Sequence, residues 1–173
     1  ALDGGALDEA ALGRLLAADD EGAEELYAAA REQRARQFGD AVFLYGFVYF
    51  STFCRNACAF CYYRVGNPES PRYRKSSDEV VAICRDLAVS GVDLLDLTMG
   101  EDPVLLGDGA ARLGDLVGAV RAATGLPVMV QPGVVDGAVL RDFRRRGADW
   151  YALYQETHSP ELYARLRVGQ PFA

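Results

Sequence analysis

Three cysteines fall within eight residues, in the order Cys54-Arg-Asn-Ala-Cys58-Ala-Phe-Cys61. Three thiolates on one loop can hold three corners of an iron–sulfur cube, whose usual ligation takes four cysteines. Cys84 is the only other cysteine, and it sits in a helical pattern well beyond the loop. Three ligands leave one coordination position open, which is the mark of a catalytic metal site as against a closed structural one. Structural zinc is the alternative. It takes cysteines in C-x₂-C units and closes with a fourth Cys or His, and the single histidine, His158, stands far along the chain. Two disulfides fit the clustering poorly, and nothing in the sequence marks secretion, so a metal site in a reducing, cytoplasmic compartment is expected.

The chain that must position these thiols alternates strand and helix. Residues 41–50 are aromatic, β-branched and apolar, and predict a buried strand. A loop over 51–75 carries the cysteines. Ser76 and Glu79 are spaced as a capping box, with a helix continuing over 80–88 and stopping at Gly91. Further strands are expected over 92–98, 127–131 and 149–154, and helices over 108–123, 136–146 and 159–167. Gly125 and Gly147 mark helix ends. Four consecutive strand–helix units of about thirty residues predict an α/β fold with a parallel sheet. A closed eight-fold barrel needs about 250 residues, and this chain supplies roughly half. A half-barrel would leave sheet edges unpaired, and a small open sheet is the alternative; the chain's end directly after a helix favours the half-barrel. Residues 1–40 are rich in Ala and Glu, with Leu7, Leu12, Leu15 and Leu16 on one stripe. They predict two helices, the second over 20–37 and broken at Gly39. The expected division is a helical segment at 1–40 and four βα units at 41–173.

In such a series the C-terminal strand ends form the active face. Polar residues gather there: Asp96 and Thr98 with Gly100, Glu101 and Asp102 after them, then Gln131, then Tyr154 and Glu156. Asp93 and Asp96 are three apart, so on a strand they point to opposite faces. The inward one is costly unless paired, either by a substrate ammonium or by an internal arginine.

Net charge is −7 and a quarter of the residues are charged, which speaks against a broad basic face for nucleic acid. The longest apolar run, 41–50, is about half of what a membrane span needs, and no basic start followed by an apolar core marks a signal peptide. Cys84 reads as a small core hydrophobe. His158 is given no catalytic role, and Arg144, Arg145 and Arg146 read as a solvated helix end.

The motif C-x₃-C-x-aromatic-C after the first strand resembles the signature of the radical S-adenosylmethionine enzymes. In that family three cysteines bind a [4Fe-4S] cluster, and the amino and carboxylate groups of S-adenosylmethionine take the fourth iron. The likeness extends through Phe43-Leu44, Tyr49-Phe50-Ser51-Thr52-Phe53-Cys54, Phe60-Cys61-Tyr62-Tyr63 and Arg72-Tyr73-Arg74. It continues through Asp96-Leu97-Thr98-Met99-Gly100-Glu101-Asp102-Pro103, Ala152-Leu153-Tyr154-Gln155-Glu156-Thr157, Glu161-Leu162-Tyr163 and Leu166-Arg167-Val168-Gly169-Gln170. These stretches resemble the methylornithine synthases of pyrrolysine biosynthesis, in the biotin-synthase-like group. The resemblance implies a radical SAM (β/α) TIM-type barrel, of which this is about the N-terminal half. The full barrel carries further substrate contacts on strands that these residues do not include.

That resemblance also implies a mutase that isomerises L-lysine to (3R)-3-methyl-D-ornithine through a 5′-deoxyadenosyl radical, reduced by a flavodoxin- or ferredoxin-type donor, with no nucleic-acid or membrane partner. Cys54, Cys58 and Cys61 become the cluster ligands, and Phe60 lies near the adenine. Gly100 and Glu101 pass the cofactor's amino group. Tyr154 and Glu156 face its cationic end or ribose, Arg167 its carboxylate, and Asp96 and Gln131 the amino acid substrate. Each has a plainer reading: a turn for Gly100, a helix N-terminal charge for Glu156, a solvated side chain for Arg167. Another biotin-synthase-like or hydrogenase-maturation enzyme, or a metal-binding half-domain without catalysis, are the competing functions.

Overall fold

A computed structural model describes residues 7–172. The parts of the two expected segments at 1–6 and at Ala173 lie outside the described residues. The chain divides into two compact units, 1–42 and 43–173. In the first, Asp8 caps α1 (Glu9–Leu16) by accepting from the Ala11 N–H at 2.7 Å. Asp19 caps α2 (Asp20–Phe38) from the Gly22 N–H at 3.0 Å. These caps satisfy donors that a helix start leaves without partners. Gly39, at φ 56°, ends α2 as expected, and Arg34 fastens that end through the carbonyls of Gly39 and Ala41.

The second unit is a four-stranded parallel sheet in the order β1-β2-β3-β4, which is also the chain order. The strands are β1 (Tyr45–Ser51), β2 (Leu94–Met99), β3 (Val128–Gln131) and β4 (Trp150–Tyr151). The helices are α3 (Ser77–Val89), α4 (Pro103–Leu106), α5 (Ala111–Thr124), α6 (Gly137–Arg146) and α7 (Pro160–Leu166). The Ser76–Glu79 capping box forms in full, and Gly125 and Gly147 end α5 and α6 in the left-handed region that a Cβ disfavours.

Strand alternation sorts the residues into two faces. Val48, Phe50, Leu95, Leu97, Met99, Val128 and Val130 bury against Val80 and Cys84 of α3, Leu113, Val117 and Val120 of α5, and Phe143 of α6. Each such side chain contributes about 1.5–3 kcal/mol by leaving water. Cys84 is therefore the core hydrophobe expected, and burial pushes its thiol up to about 11. The opposite face carries the aligned rows Phe47–Asp96–Met129–Trp150 and Tyr49–Thr98–Gln131. No described helix is long and apolar enough to cross a membrane.

Three elements differ from expectation. The first strand starts at Tyr45, not at 41, because pairing with β2 begins at Tyr45↔Leu94. The fourth is two residues long in place of six, although the Asp149 and Ala152 N–H groups extend the bonding to β3 at either end. The helix expected from 108 starts with a separate turn at Pro103, capped by the Asp102 carboxylate on the Val104 N–H. Asp108, Gly109 and Ala110 all have positive φ, and they break that turn from α5.

Candidate functional site

The cysteine loop leaves β1 at Ser51 and is shut at its base. The Thr52 N–H donates to the Tyr73 carbonyl, the Lys75 N–H to that of Phe50, and Ser51 and Arg74 form an antiparallel bridge. Inside, the Arg72 guanidinium donates to four carbonyls: Thr52 at 2.5 Å, Tyr63 at 2.8 Å, Arg64 at 2.6 Å and Asn67 at 3.4 Å. A planar fork of five donors suits this task, and a lysine could not reproduce it. Short bonds then fold the chain around the sulfurs, from the Cys61 N–H to the Cys58 carbonyl and from the Val65 N–H to the Asn56 carbonyl.

The four thiols are free, and Cys54, Cys58 and Cys61 line one cavity of about 310 Å³ at the C-terminal ends of the strands. Phe60, Gly100, Glu101, Gln131, Tyr154, Glu156 and Arg167 line it too. Asp96 stands one layer behind, reaching the cavity through Gln131. Tyr49, Asn56 and Gly133 also stand in its wall, none of them named as a site residue from sequence. Tyr49 was legible in principle, since it alternates with Phe47 on the strand before the cysteines.

Gly100 explains how the loop approaches the sheet. A Cβ there would run into the Phe53 carbonyl oxygen and come within 2.8 Å of the Cys54 Cβ. Its φ is not positive, so turn geometry does not require the glycine and close approach does. Glu101 is buried and committed. It pairs with Arg55 at 2.9 Å, accepts from the Val134 N–H at 3.2 Å, and its carbonyl accepts from the Arg55 N–H at 3.1 Å. Its side chain braces the loops flanking the cavity.

Arg167 is not a solvated side chain. Only 12% of it is exposed, and it donates to the Tyr154 carbonyl at 2.6 Å and to Glu156 at 3.1 Å while lying 5.9 Å from the Phe60 ring centre. Its Nε is buried without a partner among the described residues. Glu156 has a left-handed backbone, φ 67°, a conformation a non-glycine residue adopts at a cost. Its carboxylate is held by Arg167, and Ser159, not Glu156, caps α7. His158 is exposed. Arg144, Arg145 and Arg146 pair with Asp149, Asp142 and Asp115.

Asp96 is 1% exposed. Of the two partners expected for it, no arginine bonds it among the described residues. Its oxygens accept from the Thr98 hydroxyl at 2.9 Å and the Gln131 amide at 2.6 Å. Burial raises its pKa, and those two bonds oppose the rise only in part. Asp93 points the other way, to the exposed side, where it accepts from the Leu44 N–H.

The thiols feel one another and their surroundings. Burial pushes the Cys54 thiol up, against hydrogen bonds from the Asn56 and Glu101 backbone, and Glu101 and Cys58 add to the rise. Burial likewise raises the Tyr49 phenol, with Cys61 and Cys54 adding to it. Among the described residues no three His, Cys, Asp or Glu side chains converge as the ligands of one metal ion do. The three sulfurs are instead spread along a cavity wall. A cube offers each thiolate its own iron, and this donor set, with a glycine-lined approach and an unsatisfied guanidinium N–H beside it, fits such a group and an anionic ligand next to it.

The radical SAM superfamily model matches residues 48–173. The chain is 49% identical over 152 residues to a 3-methylornithine synthase of Methanosarcina barkeri, covering 88% of this chain and 43% of that protein. It is 31% identical to the FeFe hydrogenase maturase subunit HydE of Thermotoga maritima, over 86% of this chain and 42% of the maturase. The crystal structure of methylornithine synthase (PylB) superposes with a TM-score of 0.84 at 45% identity, covering 99% of this chain and 50% of that one. This chain thus spans about half the length of the relatives it matches. The cysteine loop, the strand order and the matched residues agree: the chain belongs to the radical SAM superfamily.

Proposed function

We propose that these residues form the N-terminal half of a radical SAM barrel, 41–173 following in sequence a helical segment at 1–40, in an enzyme that isomerises L-lysine to (3R)-3-methyl-D-ornithine. The observation that carries this reading is the meeting of three free thiols, the Gly100 approach and the Arg167–Glu156 pair on one cavity. Cys54, Cys58 and Cys61 hold a [4Fe-4S] cluster beside S-adenosylmethionine, and together these supply a 5′-deoxyadenosyl radical when bound. Arg167 offers its unpartnered Nε to the cofactor's carboxylate. Glu156 and Tyr154 face its cationic and ribose parts, Phe60 its adenine, and the backbone at Gly100 and Glu101 its amino group.

Asp96 supplies the negative charge for a substrate ammonium. The charge is buried and, among the described residues, neutral groups alone bond it, so an ammonium in the cavity is stabilised across Gln131 and Thr98. Fixing lysine beside the reacting carbon and excluding water are the protein's share of the catalysis. An electron donor of the flavodoxin or ferredoxin type reduces the cluster.

The test uses the full-length protein, reconstituted anaerobically with iron and sulfide and supplied with reductant, S-adenosylmethionine and isotopically labelled lysine. The expected products are 5′-deoxyadenosine and a labelled isomer of unchanged mass that co-elutes with 3-methylornithine. Formation of 5′-deoxyadenosine with lysine left intact would move the reading to another biotin-synthase-like substrate. No 5′-deoxyadenosine would end it.

A further inference from the structure

The Gln170 side-chain amide donates to the Cys58 sulfur at 3.1 Å, across 112 residues of sequence. Its orientation is not free. The amide oxygen accepts from the Arg167 guanidinium at 3.4 Å, and a guanidinium has donors only. The oxygen must therefore face Arg167 and the NH₂ must face the sulfur. The Gln170 backbone N–H is held as well, on the Arg167 carbonyl at 3.0 Å. Beside it, the Ala59 N–H donates to the Leu166 carbonyl at 2.8 Å, so the end of α7 and the segment after it are each tied to the cysteine loop. Cys58 is 7% exposed, and a hydrogen bond to a sulfur withdrawn from water is stronger than one in solvent.

We propose that Gln170 tunes the reduction potential of the cluster by this bond, with Arg167 as the residue that orients it. The inference rests on the cluster assignment made above. Reduction adds one electron, delivered by the external donor, and part of the added negative charge falls on the ligand sulfurs. An N–H donor stabilises that charge, so it makes the cluster easier to reduce. Because Arg167 also borders the cofactor pocket, the same guanidinium links the cofactor's seat to the sulfur of Cys58.

The test is a redox titration of the reconstituted full-length protein, followed by the electron paramagnetic resonance of the reduced cluster. Gln170→Met keeps the volume and removes the donor. Gln170→Glu keeps the shape and places a carboxylate beside the sulfur. The expected result is wild-type iron and sulfide content in both variants and a midpoint shifted to more negative potential, with Gln170→Glu at or below Gln170→Met. Loaded variants with the wild-type midpoint overturn the inference. So does loss of the cluster from both, which would make Gln170 a support of the loop alone. A wild-type chain that takes up no cluster would overturn the assignment beneath it as well, so the two failures are distinct.

Discussion

Arg74 meets Asp102 side-on: its Nε and Nη2 donate to the two carboxylate oxygens at 2.6 and 2.8 Å. Asp102 is fully buried, and its remaining capacity goes to the Ser51 hydroxyl at 2.6 Å and the Val104 N–H at 2.9 Å. One carboxylate thus joins the end of β1, the return of the cysteine loop and the first turn after β2.

Asp102→Ala removes the buried partner of a charge and the cap of α4. Arg74 keeps 30% of its side chain exposed, which places the cost near the low end for a broken buried pair, about 3 kcal/mol. Equilibrium urea unfolding measures it, and an unchanged midpoint would contradict the network. Burial raises the pKa of Asp102, but the bonds from Arg74, Ser51 and Val104 outweigh burial and hold it below the ordinary carboxylate value. Its contribution is therefore present above pH ~4 and is lost as pH falls through the lowered pKa.

Asp96 has the opposite sign. Its folded-state pKa is raised, by burial first, so the folded chain binds that proton more tightly than the unfolded one. Its charged form costs stability, and the cost grows as pH rises from the ordinary value of about 3.9 through the raised one. Asp96→Asn is free of this dependence. The stability of Asp96→Asn relative to wild type is expected to increase between pH 4 and pH 7, read by paired urea titrations. A difference independent of pH would sink the assignment of a buried, uncompensated carboxylate.

Gly100→Ala drives a methyl into the Phe53 carbonyl and against Cys54. Overpacking of this kind costs about 1–3 kcal/mol, and the movable element is the loop, not the sheet. Far-UV circular dichroism should stay as in wild type, while iron bound per chain after reconstitution falls at least several-fold. Full iron content in the variant would return Gly100 to the status of an ordinary turn glycine.

Much of this was legible in the sequence, for identifiable reasons. The three cysteines announce themselves by spacing, and the polar strand ends stand out because a βα series brings such ends to one face. Glycines at 39, 125 and 147 and the Ser76–Glu79 pair act locally, so local reading places them well. The edges of the sheet were harder: residues 41–44 are as apolar as a strand, but a strand is defined by a paired register, and the register with β2 begins at Tyr45↔Leu94. The partners of Asp96 were also hidden, since the rule that buried charge needs compensation does not say that Thr98 and Gln131 supply it. Gln170 carried no signal for its contact with Cys58, because that contact depends on where α7 returns. Arg72 was seen only as part of a family stretch, and its hold on four carbonyls depends on the loop's path.

The proposed chemistry requires Cys54, Cys58 and Cys61 to hold an iron–sulfur cube with one iron left open. The most direct measurement is iron, sulfide and zinc per chain in the anaerobically reconstituted full-length protein, compared with its Cys58→Ser variant and repeated with S-adenosylmethionine added. The expected result is about four irons and four sulfides per chain, their loss in Cys58→Ser, and a changed electron paramagnetic resonance signal of the reduced cluster when S-adenosylmethionine binds. One zinc per chain with no sulfide, or a cluster whose signal ignores S-adenosylmethionine, would contradict it.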